Sequence, residues 1–399
     1  MSRASIVAGN TNHTAPENRV FYPALDGLRA IAFLMVLAQH YMSMPWGWTG
    51  VNVFFVLSGF LITGILWDTR EDQHRARNFY VRRTLRIFPL YYGIFLLLAV
   101  TWPLAHWHFT RYWLAWPLYL GNFLRFLSPA ALVVNTPLEL AADAHLKSHL
   151  LQGELYLGHF WSLCVEEQFY LVWPWVVFWC RSKRALQWLC VVVILATPIA
   201  RVLCVEHAPL WMNQLELTYR FTPLQLDSLL LGALAAFLLR GEHRNLLIKA
   251  AGWVAALFGA VVLVSLAITV CAAGSFQEYV YPAWKQTWGL CAVNVLTVSI
   301  ILAVLRPKTL LARLLAFSPL RWLGRISYGA YIFHDLLHFA FAHVTRKSRL
   351  PFVAEHNGAA TFLLALVGTT VLAWLSFRFF ESPFLNLKEK FTVRPLAQR

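Results

Sequence analysis

Runs of about 17 to 24 mostly apolar residues recur ten times along the chain, and this recurrence restricts the fold more than any other feature. A helix of that length spans the hydrocarbon of a bilayer, where irregular backbone finds no hydrogen-bond partner. The composition agrees, because 59% of the residues are hydrophobic, 13% are charged and the mean hydropathy is +0.55. The runs are continuous rather than alternating, which disfavours an outer-membrane barrel. The sequence therefore predicts an all-α polytopic membrane bundle.

Ten transmembrane helices are predicted from these runs. They lie near residues 28–44, 50–67, 87–105, 160–179, 186–204, 223–239, 247–270, 287–305, 327–344 and 359–379. A shorter apolar stretch, 112–124, is interrupted by Pro117 and is predicted not to cross. If this stretch does not cross, most of the basic loops fall on one side of the membrane. The positive-inside rule identifies that side as the cytoplasmic one.

This count places both termini in the cytoplasm. A membrane domain at 25–385 is predicted between cytoplasmic tails at 1–24 and 386–399, with no cleaved leader. The basic stretch at 346–349 is an exception, because the count puts it outside. The long external segment 106–159 carries acidic and histidine side chains whose spacing favours a solvated loop over a metal or catalytic cluster. These side chains are Glu139, Asp143, His145, His149 and Glu154.

The net charge of +15 does not indicate a nucleic-acid partner, because the Lys and Arg residues collect in particular loops, as orientation signals do. Six cysteines are scattered along the apolar runs without a C-x-x-C pair or a histidine cluster. They are interpreted as packing residues. No metal site and no permanently bound cofactor are predicted.

Arg29 and His40 lie within the first apolar run, where hydrocarbon disfavours both side chains. Eleven positions of a helix return to nearly the same azimuth, so the two side chains share one face about 16 Å apart. This alignment suggests a polar path through the protein. The alternative is that Arg29 extends to the interface and His40 forms a hydrogen bond between helices.

Glu166 and Glu167 are predicted to lie at a depth similar to that of His40, at 1.5 Å per residue from the outer surface. A carboxylate beside a buried imidazole would orient it and suit it to act as a general base on a hydroxyl. Adjacent glutamates point about 100° apart, so at most one of them faces His40. A structural Glu–Arg pair is the competing interpretation.

Arg83 and Arg86 stand at i and i+3 at the predicted cytoplasmic mouth of the third span. Paired guanidinium groups match phosphate oxygens well, although positive-inside anchoring also explains a basic segment. Further polar candidates accompany the apolar runs, and each can also serve helix packing. They are Asp26, Ser58, Ser327, Tyr328, His334 with Asp335, and Glu381. There is no G-x-S-x-G, Walker or dinucleotide motif.

Together these segments resemble the acyltransferase-3 family of integral membrane acyltransferases. The motifs that carry the resemblance are Leu25 to Arg29 with His40, Phe54 to Ile62, Arg83 with Arg86, Trp161 to Tyr170, and Ser327-Tyr328 with His334. They follow the family's order and cover nearly the whole chain. Cys164 stands where the family often has serine, a change that is expected to be tolerated.

The resemblance implies an acyl-CoA donor, such as acetyl-CoA, that reaches the protein from the cytoplasm and acylates a hydroxyl, usually on a sugar. It implies that His40 is the catalytic histidine with Arg29 as its motif partner and Glu167 as an acidic partner. Arg83 and Arg86 would contact the CoA phosphates. The chain ends soon after the tenth predicted span, so no SGNH-hydrolase domain is expected, and transfer is expected to be completed by the membrane domain.

The first hypothesis is therefore a membrane O-acetyltransferase of the bacterial inner membrane. Its expected partners are acyl-CoA, a carbohydrate or lipid-linked glycan acceptor, and membrane lipids. The second is a transporter or flippase for a glycolipid or small solute, although no internal repeat supports it. A non-catalytic scaffold would not explain the aligned Arg29 and His40.

Overall fold

The computed structural model describes residues 22–42, 44, 46–105, 111–124, 157–207, 217–272, 284–347 and 357–391. Within these ranges the ordered elements are helices and turns, and no strand is present. The predicted all-α class is confirmed for this part of the chain. The external acid and histidine group and both terminal tails lie mostly or wholly outside it.

Eleven helices of ten or more residues lie in the described ranges and are numbered in chain order. They are α1 (Pro23–Met42), α2 (Thr49–Asp68), α3 (Arg75–Ala105), α4 (Trp161–Trp179), α5 (Lys183–His207), α6 (Leu226–Leu238), α7 (Arg244–Ala272), α8 (Leu290–Val304), α9 (Ser327–Leu336), α10 (His338–Lys347) and α11 (Asn357–Leu375). Two short helices, Leu310–Leu315 and Ser318–Arg325, connect α8 to α9.

Six of the described helical segments are long and apolar enough to cross a membrane. They are Thr49–Asp68, Arg75–Thr101, Lys183–His207, Arg244–Ala272, Thr287–Val304 and Gly358–Phe391. Each overlaps a predicted span. The other four predicted spans overlap α1, α4, α6 and the α9–α10 pair, which do not meet the same length and hydropathy. The count of ten and the side of the termini therefore stay predictions.

Two details differ from the sequence prediction. The helix of the third span begins at Arg75 rather than near residue 87, so the arginines before the apolar run are helical. A helix can continue past the hydrocarbon, because its backbone is satisfied internally in either medium. The predicted span 327–344 divides at Leu337 into α9 and α10.

α2 is the central helix of the bundle, and α1, α4, α6 and α8 pack around it. Its closest approach is to α6. A Cβ atom at Gly59 would lie 1.8 Å from the carbonyl oxygen of Leu229, and one at Gly232 would lie 2.1 Å from that of Val56. Small residues that permit such contact are typical of membrane helix pairs. Gly59 and Gly232 therefore allow α2 and α6 to pack backbone to backbone.

Residues 111–124 form two 3₁₀ turns rather than one continuous helix, consistent with a segment that does not cross. Gln168 of α4 donates hydrogen bonds to the Tyr119 carbonyl at 2.7 Å and to the Asn122 side chain at 2.9 Å. The Tyr91 hydroxyl of α3 donates to the Trp116 carbonyl at 2.5 Å. These bonds hold the segment against α3 and α4.

A buried ion pair joins α5 to α6. Arg201 is fully buried and its Nη2 contacts Oδ1 of Asp227, while Nε donates to the Leu224 carbonyl at 2.9 Å. Asn294 of α8 donates to Oδ2 of Asp227 at 3.1 Å. Both charges therefore keep partners inside the bundle, as buried charges require.

Candidate active site

A group of three imidazoles and one carboxylate lies where α1 and α9 meet the 3₁₀ turn Gly158–Phe160 that precedes α4. We call it the histidine cluster: His40, His159, His334 and Asp335. Nδ1 of His40 is 3.3 Å from Oδ1 of Asp335, and Nδ1 of His159 is 3.3 Å from Oδ2 of the same carboxylate. The His334 ring centroid lies 5.0 Å from that of His40 and 5.2 Å from that of His159, edge to face in both pairs. The two oxygens of the Asp335 carboxylate therefore contact two different imidazoles.

Hydrogen bonds to the backbone fix this cluster. The Tyr331 hydroxyl donates to the His159 carbonyl at 2.9 Å, and Ser162 lies 2.5 Å from the same hydroxyl. Nδ1 of His334 lies 2.6 Å from the Tyr331 carbonyl, and the Tyr41 hydroxyl donates to the His334 carbonyl at 2.5 Å. These bonds hold the His334 ring and the backbone of His159 and His334 in place.

Exposure distinguishes His40 from the other members of the cluster. Its side chain is 30% exposed, whereas the Asp335 side chain is 4% exposed and that of His159 is 1% exposed. A carboxylate at Nδ1 favours the tautomer with hydrogen on that nitrogen, which leaves the lone pair on Nε2. No hydrogen bond to Nε2 forms among the described residues. His40 is thus an oriented imidazole whose second nitrogen can accept a proton.

The carboxylate beside His40 is not one of the two glutamates that the depth argument favoured. Glu167 lies 3.6 Å from Nε of Arg83, and Glu166 accepts a hydrogen bond from Ser58 at 2.5 Å. Depth alone could not identify the carboxylate that contacts His40. The rotation of α4 about its own axis directs the two glutamate side chains toward α2 and α3 instead. The alternative Glu–Arg pair is therefore present, and the partner of His40 is Asp335.

The arginine cluster, defined as Arg29, Arg83 and Arg86 with Glu166 and Glu167, is the second polar group that α1 reaches. The Arg83 guanidinium lies 3.6 Å from the centroid of the Tyr170 ring. Arg86 is exposed and lies within electrostatic range of both other arginines. The three cations thus gather around one place, as expected for Arg83 and Arg86 from their i, i+3 spacing.

Two buried guanidinium nitrogens in this cluster are not satisfied. Nε of Arg29 and Nε of Arg83 are inaccessible to solvent and have no hydrogen-bond partner among the described residues. The 3.6 Å contact of Arg83 with Glu167 is an ion pair rather than a hydrogen bond. Cationic donors without a hydrogen bond at a cluster of arginines fit an anionic ligand such as a phosphate.

The remaining predicted polar residues occupy the same part of the bundle. Asp26 lies within electrostatic range of Arg29 and Arg86. The Tyr328 hydroxyl donates to the Ile87 carbonyl at 2.9 Å, and Ser376 donates to Glu381 at 2.9 Å. Ser327 is buried where α9 begins. Tyr328 thus joins α9 to α3, as the packing interpretation allowed, whereas the Glu381 bond lies within one helical segment.

One member of the histidine cluster, His159, was not among the predicted site residues. It stands two residues before Trp161 of a family motif, whereas Asp335 was named beside His334 but not as the partner of His40. An ionisable residue at an apolar run is a functional candidate by itself, and this signal could have found His159. Among the described residues no group of three or more His, Cys, Asp or Glu side chains is arranged to hold a metal ion.

Comparison with known proteins places this geometry in context. The model of a family described as "Acyltransferase domain", the acyltransferase-3 family, matches residues 22–378. The peptidoglycan O-acetyltransferase OatA of Listeria monocytogenes is 28% identical over 383 residues, which are 93% of this chain and 57% of that protein. The putative peptidoglycan O-acetyltransferase YrhL of Bacillus subtilis is 27% identical over 391 residues, covering 91% and 55% respectively.

A putative O-acetyltransferase of Staphylococcus aureus is 25% identical over 389 residues, covering 91% of this chain and 57% of that protein. The chain therefore spans little more than half the length of these relatives. No solved structure matches it. Because the family model covers nearly all of the described bundle, with both polar clusters inside it, the chain belongs to the acyltransferase-3 family.

Proposed function

We propose that the protein is an O-acyltransferase of the bacterial inner membrane that moves an acetyl or other short acyl group from acyl-CoA to a hydroxyl of a carbohydrate. The observation that carries the proposal is the contact of His40 Nδ1 with Asp335 Oδ1 at 3.3 Å, which leaves Nε2 available. The names of the relatives support a carbohydrate acceptor, and peptidoglycan is the first acceptor to test.

The chemistry requires one proton acceptor near the acceptor hydroxyl. Nε2 of His40 takes the hydroxyl proton while the oxygen attacks the thioester carbonyl. The carbon–sulfur bond then breaks, and the departing thiolate takes the proton from His40, so the charges balance. In the alternative sequence Nε2 attacks the thioester carbonyl, and the carbon–sulfur bond breaks to release the thiolate. The hydroxyl oxygen then takes the acyl group from Nε2, and the hydroxyl proton passes to the thiolate. Asp335 orients the ring and stabilises the imidazolium in both sequences.

The arginine cluster is the proposed binding site for the phosphates of the acyl-CoA donor. Arg83 and Arg86 offer guanidinium groups for phosphate oxygens, and Arg29 adds the unsatisfied Nε described above. Glu167 pairs with Arg83 and holds its guanidinium over the Tyr170 ring. Arg29 and His40 are eleven positions apart on α1, which is about 16 Å at 1.5 Å per residue. The donor's flexible arm would carry the thioester along this distance.

The test is a transfer assay on the purified protein in nanodiscs. The nanodisc preparation would be incubated with radiolabelled acetyl-CoA and a soluble glycan acceptor. Release of free thiol and formation of labelled glycan would both be measured. His40→Ala is expected to abolish transfer, with unchanged insertion and melting temperature. Full activity of this variant would refute the mechanism. Absence of thiol release by the native protein, together with movement of a glycolipid between leaflets, would favour a transporter.

Donor binding has its own test. Acetyl-pantetheine carries the thioester but lacks the nucleotide and its phosphates. The native protein is expected to prefer acetyl-CoA in kcat/KM, and Arg83→Gln with Arg86→Gln is expected to remove most of that preference by raising KM for acetyl-CoA alone. Arg306→Gln, at an exposed arginine outside the cluster, is the matched control. An unchanged preference in the double variant would contradict the phosphate assignment.

A further inference from the structure

The short helix Ser318–Arg325 lies directly against the start of α1. A Cβ atom at Gly324 would lie 1.8 Å from the carbonyl oxygen of Asp26. In the same way, a Cβ atom at Gly27 would lie 1.8 Å from the carbonyl oxygen of Leu315, which ends the preceding short helix. No side chain fits between the backbones at either point. These contacts place the C-terminal end of Ser318–Arg325 beside the first turns of α1.

Two arginines of this short helix, Arg321 and Arg325, lie near the same carboxylate as the arginine cluster, and we call them the arginine pair. They stand at i and i+4, so they share one helical face. Both lie within electrostatic range of Asp26, as do Arg29 and Arg86 of the arginine cluster. The Asp26 carboxylate is therefore shared by two groups of guanidiniums and offsets part of their mutual repulsion.

The arginine pair meets α1 farther from His40 than the arginine cluster does. Arg29 is eleven positions before His40 and Asp26 is fourteen positions before it, about 16 Å and about 21 Å at 1.5 Å per residue. The helix that carries the pair contacts α1 at Asp26, and Arg325 is exposed. A donor with its thioester at His40 and its nearer phosphates at the arginine cluster would bring a more distant phosphate to the pair.

We propose that Arg321 and Arg325 bind the 3′-phosphate of the donor's nucleotide, and that the arginine cluster binds its diphosphate. The inference rests on the proposed function, in which acyl-CoA is the donor. Coenzyme A carries phosphate at two separate places. A diphosphate joins the pantetheine arm to the ribose, and a single phosphate is attached to the ribose 3′-oxygen. Guanidinium groups match phosphate oxygens with paired hydrogen bonds, so two groups of arginines fit one donor with two phosphate positions.

Two other cations, Arg82 and Lys388, provide the competing position for the 3′-phosphate. Lys388 lies within electrostatic range of Arg82 and of Arg86. This position offers one guanidinium and one ammonium, whereas the arginine pair offers two guanidiniums on one helical face. An ammonium is a point charge without the fork of donors that matches phosphate. The arginine pair is therefore the better match, and Lys388 is tested beside it.

The test compares acetyl-CoA with acetyl-3′-dephospho-CoA, which lacks only the 3′-phosphate, on the full chain in nanodiscs. The native protein is expected to favour acetyl-CoA in kcat/KM by about 10- to 100-fold, as charge-assisted hydrogen bonds predict. Arg325→Gln is expected to remove most of this preference by raising KM for acetyl-CoA alone. Arg313→Gln, at an exposed arginine of the short helix Leu310–Leu315, is the matched control and should keep the native preference.

A second comparison separates the two phosphate sites. Arg83→Gln with Arg86→Gln should raise KM for both donors and keep the ratio of their kcat/KM values, because neither residue is assigned to the 3′-phosphate. Loss of that ratio in the double variant would overturn the division into two sites. Retention of the native preference by Arg325→Gln would overturn the assignment to the pair. Loss of the preference in Lys388→Gln would then move the 3′-phosphate to Lys388.

The outcomes distinguish this inference from the proposed function. Equal kcat/KM of the native protein for the two donors would show that the 3′-phosphate is not bound, while acetyl transfer from acetyl-CoA would still stand. Release of no thiol from either donor would instead refute the proposed function. Arg325→Lys keeps the charge and is expected to retain part of the preference. Partial retention there, with loss in Arg325→Gln, is a pattern that a folding defect would not produce.

Discussion

Oδ1 of Asp335 lies 3.3 Å from Nδ1 of His40, although one residue belongs to α9 and the other to α1. The contact joins the first predicted span to the ninth. It gives the imidazole a defined orientation, and the more exposed His40 is the member of the pair that can meet a substrate. Removing the carboxylate should therefore affect catalysis more than binding.

Asp335→Asn is expected to lower kcat of acyl transfer by about 10²- to 10⁴-fold, because an amide no longer selects the Nδ1–H tautomer of His40. KM for acetyl-CoA should change little. Steady-state assays with both substrates varied would measure this. Asp68→Asn removes another ion-paired carboxylate, at the exposed Arg240 contact, and should retain activity. Equal losses in the two variants would contradict the prediction.

Gly59→Ala and Gly232→Ala are expected to destabilise the protein by about 1–3 kcal/mol or more, because each methyl group would collide with a carbonyl oxygen of the facing helix. Thermal unfolding in detergent, followed by size-exclusion chromatography, would measure the loss. Gly252→Ala is the matched control, since a Cβ atom there meets nothing within 4 Å. A melting temperature of Gly59→Ala equal to that of Gly252→Ala would show that α2 and α6 do not pack this closely.

Asp227→Asn is expected to cost about 3–5 kcal/mol of stability, because it leaves the fully buried Arg201 without a counter-charge. Arg201→Met combined with Asp227→Leu should be much less harmful, since both charges then leave the bundle together. The melting temperatures of the two variants would be compared in the same detergent. A double variant less stable than Asp227→Asn would argue against a pairing role.

Gln168→Leu is expected to free residues 111–124 from α4, because it removes both hydrogen bonds that this side chain donates to the segment. Limited proteolysis of the protein in nanodiscs should then cleave within 111–124 faster than in the native protein. Gln225→Leu serves as the comparison, since its donors bind Thr218 and Tyr219 instead. Equal cleavage rates at this segment in both variants would contradict the assignment.

The sequence predicted much of the fold because its main signal is local. Apolar runs gave the helix class, and six of them coincide with helices long and apolar enough to span a membrane. The start of α3 at Arg75 was missed because hydropathy marks where lipid ends, whereas the helix continues beyond it. The division at Leu337 was missed because both halves are apolar enough to read as one run.

The site was predictable only in part. Arg83 and Arg86 were named from their spacing and His40 and Arg29 from their place in one apolar helix. Glu166 and Glu167 were named from their depth. The carboxylate that contacts His40 was not predicted. That contact depends on how α1 and α9 pack in the folded bundle, and local sequence patterns carry no information about the packing of distant helices. The depth argument limited the candidate partners of His40 to carboxylates at a similar depth in the membrane, and it favoured the two glutamates of α4. Helix rotation, which depth does not report, directed Glu167 to Arg83 instead.

The backbone contact between α2 and α6 limits where a substrate can pass between the helices. Gly59 lies against the main chain of α6, so no substrate can pass between these two helices. The preceding residue, Ser58, instead turns its hydroxyl toward Glu166 of α4. Any route from the arginines to His40 therefore follows the opposite flank of α2, beside α1 and α4.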